Sequence, residues 1–441
     1  MTSAPEPGTL SPLTRLFRNA VDIRDGELPR LALAFAMFFS VLCGYYILRP
    51  VRDEMGVALG TDGLEKLFFA VFLVMCAAVP VFGTIVARLP RRLVVPLLYA
   101  FFIANIFVFW LLLQAETGTA PSPLLASSFF VWASVFNLFV VSLFWILMSD
   151  LWHTEEAKRL YGFIAAGGTA GAVAGPVLAR GLSGSLAPHD LLLVTALFLA
   201  VALVCSLALR AHLPPAEAAA AERPAGVRDI LSGAERVWQS PYLFRIALFI
   251  LFANLIGTFF YLEQSRIVAA EIADRAARVQ FFATRDLAVS LLTIAIQVFV
   301  TGRVKKTFGL AVPLSALPLT AMLGLMALAI SPSLEVVAAI MVAERAVAFA
   351  LANPALKVLY TAVDPDEKYK AQNFIDTVVY RGADAASGSI FNALTKSLGA
   401  SSTVLALVSL PVALIWLWTG RDLARRQAEG AAAGPRETST G

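Results

Sequence analysis

The sequence predicts an all-α membrane protein of twelve transmembrane helices arranged as two six-helix halves. Three observations point there. Of 441 residues, 59% are hydrophobic and only 15% charged, a balance far from that of a soluble domain. Apolar runs long enough to cross about 30 Å of hydrocarbon at about 1.5 Å per residue recur along nearly the whole chain. A charged turn at 155–164 returns at 366–375: slid by 211 residues, Glu156 falls on Glu367, Phe163 on Phe374, Ile164 on Ile375, and base on base at Arg159 and Lys370. Two like-oriented membrane halves are the architecture that such a repeat implies.

Residues 1–30 form a segment before the first span, in which Ser11-Pro12 opens a short helix. Leu13, Leu16, Phe17 and Val21 share one face of it while Arg15, Arg18 and Arg24 are polar, so it is expected to lie at headgroup level. The first apolar run has no small-residue cleavage signal, so no cleavable signal peptide is expected. The first half, 31–210, holds spans at 31–49, 67–87, 93–114, 125–149, 162–179 and 191–210. A linker at 211–241 carries Pro214-Pro215, an Ala/Glu run, Pro224 and an amphipathic stretch from Val227 to Trp238. The second half, 242–420, holds spans at 242–262, 281–300, 310–331, 334–356, 373–395 and 401–419, and 421–441 is expected to be a disordered tail. The side holding both termini carries 24 Lys and Arg against 9 on the other, which predicts cytoplasmic termini and an even number of crossings.

Several function classes are excluded. Cys43, Cys76 and Cys205 all fall within spans, and His153, His189 and His212 sit singly in loops, so neither a disulfide framework nor a metal site is expected. No cofactor is implied. No Ser/His/Asp or Cys/His set and no phosphate-cradling loop between strand and helix occurs, so the chain does not read as an enzyme. No basic stripe interleaved with exposed aromatics suits nucleic acid.

Two features stand out within the membrane. Gly167, Gly171 and Gly175 recur every four residues in span five and let a neighbouring backbone approach closely, for packing or for sliding. Ionisable groups, costly at bilayer depth, cluster at four places. Span one ends in Tyr45, Tyr46, Arg49, Arg52 and Asp53, and span seven in Tyr261, Glu263 and Arg266. Span ten carries Glu344-Arg345, Asn353 and Lys357, and span eleven Asn373, Asp376, Tyr380, Arg381 and Asp384. At about 100° per residue the last set falls on one polar face of roughly 140°. Such a face looks into the protein, where it meets a solute or forms ion pairs such as Arg381 with Asp384.

Tyr45-Tyr46-Ile47-Leu48-Arg49-Pro50-Val51-Arg52-Asp53, Ser142-Leu143-Phe144-Trp145, Glu156-Ala157-Lys158-Arg159-Leu160-Tyr161 and the run from Lys368 to Arg381 together resemble the ATP/ADP translocase family of nucleotide transporters. The motifs cover both halves in order. The resemblance implies twelve helices of major-facilitator type and, in the best-known members, exchange of ATP for ADP. Three departures mark a divergent bacterial branch whose solute is left open. Arg52 stands where the family has Lys, nothing acidic occurs between Pro121 and Ser149, and Gly382-Ala383-Asp384 replaces a Gly-Lys-Ser-Gly-type stretch.

The expectation is a monomeric, multi-pass secondary transporter of a bacterial inner membrane, moving a polar anionic solute such as ATP or ADP. Arg49, Arg52, Tyr46, Arg266, Arg345, Tyr380 and Arg381 are the expected substrate-binding residues. Asp53, Glu263, Glu344, Asp376 and Asp384 are the candidates for ion or proton coupling, and the three glycines for helix packing or gating. Two alternatives stay open: a proton-coupled transporter of a non-nucleotide solute, and a non-transporting membrane sensor or scaffold.

Overall fold

The computed structural model describes Arg24 and residues 26–116, 121–152, 154–212 and 227–432. The headgroup-level helix expected from Ser11, most of the linker, His153 and the last nine residues of the tail lie outside the described residues. Among the described residues the structure is helical, because backbone amides inside hydrocarbon must be satisfied within their own segment. In the first half these helices are α1 (Leu28–Ala58), α2 (Gly60–Arg88), α3 (Arg91–Ala115), α4 (Pro123–Leu151), α5 (Thr154–Leu182) and α6 (Leu191–Leu209). Linker helix α7 (Val227–Gln239) leads to α8 (Pro241–Glu271), α9 (Arg275–Phe308) and α10 (Ala311–Ile330). The chain continues through α11 (Leu334–Val347), α12 (Asn353–Leu359), α13 (Pro365–Phe374), α14 (Tyr380–Asn392) and α15 (Ser402–Ala432).

Local chemistry starts several of these helices. Proline opens α4 and α8, where its missing amide hydrogen costs nothing. The Ser240 and Asp274 side chains accept from the amides of Leu243 and Ala277 at 3.3 and 2.7 Å, capping α8 and α9.

Ten helices among the described residues are long and apolar enough to cross a membrane. The remaining two expected spans, 334–356 and 373–395, are covered by α11–α12 and α13–α14. Each pair is joined without a break by a π-helical turn, at Ala348–Ala352 and Ile375–Val379. The π turns divide these runs into α-helical segments of 14, 7, 10 and 13 residues, each too short to cross alone, which is why they stand apart from the ten. Two further π turns occur at Gln297–Thr301 and Ala393–Ser397.

Packing divides the core into two main clusters. One unites α1 with α3, α4, α5 and α6, and the other unites α8 and α10–α15, joined by Leu64, Leu67, Val71 and Met75 of α2 and by Phe130 of α4. Outward side chains such as Leu73, Leu111, Leu197, Phe299, Leu323 and Trp418 are exposed, as a lipid-facing surface requires. The bundles meet along two seams, α5 against α9 and α2 against α14, while α1 bridges to α8 and α9. Ser290 donates to the Ala172 carbonyl at 2.9 Å across the first seam. Across the second, Asn392 donates to Glu65, and Lys396 pairs with Asp62.

These cross-bundle ties cluster toward one end of the molecule, where α1 ends and α9 begins. A small apolar cluster of Val57, Val268 and Phe282 sits there, drawn from both bundles. At the opposite end, which holds the described termini, the ion pairs seen stay within one bundle. Arg159 donates to Glu27 at 2.7 and 2.8 Å, and Arg236 of α7 pairs with Glu367 of α13 at 2.7 Å. Gly233 lies so close to the Lys370 carbonyl that a side chain there would displace the linker helix.

Candidate functional site

A cavity of about 690 Å³ lies between the bundles, lined from α1, α2, α4, α8, α10, α11, α12, α14 and the π turns at 348–352 and 375–379. Its lining includes five cations (Arg49, Arg52, Arg345, Lys357, Arg381) against three carboxylates, Glu344, Asp376 and Asp384. That balance favours a solute with negative charge. Tyr45, Tyr46, Tyr261, Tyr360 and Tyr380 add phenol groups, and Asn137, Asn254 and Asn353 add amides.

Most of the expected site residues converge here: Tyr46, Arg49, Arg52, Glu344, Arg345, Asp376, Tyr380, Arg381 and Asp384 all line the cavity. Arg266 and Glu263 do not. They pair with each other at 2.6 Å, and Arg266 also reaches the Ser402 hydroxyl. Asp53 lies behind the wall, fully buried. Asn373 is also absent from the lining. The π turn at Ile375–Val379 widens the helix between it and Tyr380, so the constant 100° step used to place them on one arc fails there.

The cavity cations differ in how they are engaged. Arg52 pairs with Asp53 at 2.6 Å, Arg49 with Asp286 at 3.5 Å, and Arg381 with Asp384 at 3.4 Å. Asp384 also accepts from the Thr258 hydroxyl at 2.7 Å. Rings back the guanidinium groups: Arg49 lies 5.7 Å from the centre of Tyr46, Arg52 5.1 Å from Phe130 and Arg381 5.1 Å from Tyr380, a cation–π arrangement that leaves their edges directed at oxygen atoms. Arg345 and Lys357 have no carboxylate within salt-bridge distance among the described residues, although Lys357 acts on Asp376 from farther away. Glu344, 9% exposed, is likewise without an ionic partner there.

Behind Arg49 and Arg52 lies a buried charge network that sequence patterning did not find. Arg285 of α9 donates to Asp53 at 2.8 Å, to Asp286 at 2.8 and 3.0 Å, and to the Gln264 side chain at 2.7 Å. The Tyr261 hydroxyl donates to Asp53 at 3.3 Å. Nearer the end of α1, Arg275 donates to Glu54 at 2.9 and 3.1 Å. The span read at 281–300 contains Arg285 and Asp286, yet polar patterning singles out neither; the helix begins earlier, at Arg275, and buries both. One signal was available: Arg285-Asp286 repeats, inside a span, the Arg52-Asp53 step that it faces.

The three glycines of α5 face α1 within the first bundle. A Cβ on Gly167 would stand 2.6 Å from the Phe35 carbonyl oxygen, and one on Gly175 would stand 2.7 Å from the Cys43 carbonyl oxygen and from Tyr46 Cβ. Their absence of side chains brings α5 onto the helix that carries Tyr46, Arg49 and Arg52. Among the described residues no group of His, Cys, Asp and Glu is arranged to hold a metal ion.

ADP,ATP carrier protein 1 of Chlamydia muridarum is 23% identical over 468 residues, covering 90% of this chain and 88% of its own length. Solved structures share the architecture at lower identity. A bacterial homologue of the iron transporter ferroportin in an inward-facing state aligns with a TM-score of 0.62 at 13% identity, covering 90% of this chain and 99% of its own. A bacterial homologue of the lysosomal transporter Spinster, inward-facing and unoccupied, gives 0.61 at 13% identity, covering 92% and 99%. The nucleoside transporter NupG gives 0.59 at 16% identity, covering 91% and 99%. The family model described as Major Facilitator Superfamily matches residues 30–388, most of the helical body that encloses the cavity, and the chain therefore belongs to the major facilitator superfamily of multi-pass transporters.

Proposed function

We propose that this chain is a secondary exchanger of a nucleotide-like anionic solute, which binds in the central cavity while the halves 31–210 and 242–420 rock about it. The carrying observation is the pair Arg345 and Lys357: two cavity-lining cations without a carboxylate in salt-bridge range among the described residues. Arg345 is half-buried and Lys357 exposed where they line the cavity, so both are free to turn their donors to an anionic ligand in charge-assisted hydrogen bonds. Likeness to a protein named as an ADP,ATP carrier supports the nucleotide part of the reading. With the termini in the cytoplasm, the described state opens inward and is closed toward the periplasm.

Labelled ADP uptake into liposomes tests this. Uptake is expected to saturate and to require internal ADP or ATP. Arg345→Ala and Lys357→Ala are each expected to raise the half-saturation concentration by about tenfold or more, the worth of a charged hydrogen bond. Absence of exchange for every nucleotide tried, or wild-type behaviour in both variants, refutes the reading.

Glu344 favours a second mode, in which a proton enters with the solute. Its carboxyl is buried and lines the cavity without an ionic partner among the described residues, the setting in which a carboxylate exchanges protons as access alternates. Uptake driven by a pH gradient into liposomes without internal nucleotide, and lost in Glu344→Gln, distinguishes symport from exchange.

A further inference from the structure

We propose that a second site, apart from the solute cavity, holds one acyl chain of a phospholipid from the leaflet opposite the described termini, with the ester carbonyl bound by the hydroxyls of Ser127 and Ser128. A slot of about 540 Å³ lies between α2, α3 and α4 on the outer side of the first bundle, where Val74, Val81 and Phe101 are exposed. It shares no lining residue with the solute cavity.

The dimensions of the slot select its occupant. Leu67 and Ile85 mark its ends along α2, with about 27 Å of helix between them. Spread over that length, the volume of about 540 Å³ leaves a mean cross-section of about 20 Å². A helix is about 10–12 Å across, so a single hydrocarbon chain fits where a helix from a second copy does not. Ser127, Ser128 and the indole nitrogen of Trp132 are the polar groups of a lining that is otherwise Leu, Ile, Val, Ala and Phe. Away from the serines, Phe82 and Phe139 stack at 4.2 Å and form part of an apolar wall.

Chemistry at the polar end identifies the class of lipid group. Hydroxyls deeper in α4 give their hydrogen to a carbonyl on the preceding turn, as Ser134 does to Phe130 at 3.0 Å and Ser142 to Leu138 at 2.7 Å. Those of Ser127 and Ser128 have no partner among the described residues, and neither has Trp132 Nε1, one turn beyond Ser128. Donors left unpaired against hydrocarbon are costly. Helix α4 has 29 residues, about 43 Å against about 30 Å of hydrocarbon, so about 6 Å emerges at each end. Ser127 stands about 6 Å from the start of the helix, the depth at which acyl chains give way to their ester carbonyls. A plain hydrocarbon fills the slot but leaves both hydroxyls unpaired, whereas an ester carbonyl accepts from them. The slot also lies back to back with the solute cavity: Leu67 and Ala70 of α2 line the one, Phe68 and Val71 the other. A seated lipid therefore backs the cavity wall.

Photolabelling tests the site, with the protein in phosphatidylethanolamine nanodiscs that contain a fraction of phosphatidylethanolamine bearing a diazirine in mid-chain, and adducts mapped by mass spectrometry. Adducts at Val74 and Val131 are expected to exceed those at the more exposed Leu111 and Leu197 by about fivefold or more, the ratio that two retained hydrogen bonds give. Ser127→Ala combined with Ser128→Ala is expected to remove most of that excess, and Ala78→Phe, which fills the slot, all of it. The serine variant changes little packing, so it decides the matter even where Ala78→Phe fails to fold. Equal labelling around the belt in the wild type, or an unchanged excess in the serine variant, overturns the site. Native mass spectrometry gives a second reading: the wild type is expected to retain one phospholipid that the serine variant loses. A dimer without retained lipid assigns the slot to a second copy and overturns the lipid.

Discussion

Replacing Gly175 by alanine puts one methyl group where α1 and α5 have no room for it. The new Cβ would stand 2.7 Å from the Cys43 carbonyl oxygen and from Tyr46 Cβ. Ordinary contact begins near 3.4 Å, so the helices must separate by about 0.7 Å at this point. Neither obstacle can swing aside, since one is backbone and the other is the first atom of a side chain. Overpacking of this kind costs about 1–3 kcal/mol. An alanine at Gly162 or Gly181, where a Cβ meets nothing within 4 Å, instead gains up to about 1 kcal/mol of helix propensity. The expected gap between Gly175→Ala and either control is therefore about 1–4 kcal/mol, measured as loss of monodisperse protein on heating in detergent. Because Tyr46 lies beneath the Arg49 guanidinium, the same variant is expected to weaken solute binding, which the controls leave intact. Gly175→Ala as heat-stable as Gly162→Ala would refute the close-packing argument.

Two further outcomes follow from charges outside the cavity. Glu27, before α1, accepts from both Arg159 amino groups and from the Arg24 amide, and these hold its carboxyl below the ordinary range. A lowered folded value means that the stabilisation is complete above the unfolded pKa of about 4.3 and is lost as pH falls through the folded value. Glu27→Gln is expected to cost about 1–3 kcal/mol near neutrality, with the gap to wild type closing below about pH 4 in thermal unfolding scans. Arg266→Ala is expected to leave the half-saturation concentration for ADP unchanged while lowering heat stability, because Arg266 serves buried Glu263 and not the cavity. A rise matching that of Arg345→Ala would return Arg266 to the binding site.

Where sequence reasoning succeeded, a single physical constraint dominated. Hydrocarbon thickness sets span length, so the ten most apolar helices were visible as runs, and the cost of intramembrane charge marked Arg49, Arg345, Arg381 and Asp384 as inward-facing. The i,i+3 pairing of Arg381 with Asp384 was legible because both lie on one helix. Pairing across the bundles was not. Arg52 and Arg266 both stand at the ends of the spans that open the two halves, yet the two point to different surroundings. Hydropathy also finds the apolar middle of a helix and trims its ends: α1 runs from Leu28 to Ala58, past the boundary read at 49, so Arg52 and Asp53 are interior residues. Arg285-Asp286 lies inside the span read at 281–300 but is the lone charged step of an otherwise apolar run, so no polar face marked it as part of a network.

All four π turns among the described residues fall in the second half of the chain, and two of them border the cavity at Phe349 and Asp376. A π turn holds one residue more than the α-helical ladder requires, so everything beyond it is rotated relative to everything before it. That surplus residue offers an evolutionary route to new selectivity. Adding it, deleting it or moving it by one position would present Tyr380, Arg381 and Asp384 to a solute at a different angle, with no change to helix number, loop charge or the opposing wall. Paralogues that share this fold can thus diverge in cargo by insertion as readily as by substitution, and alignments that force the two halves into constant register will hide the positions where that has happened.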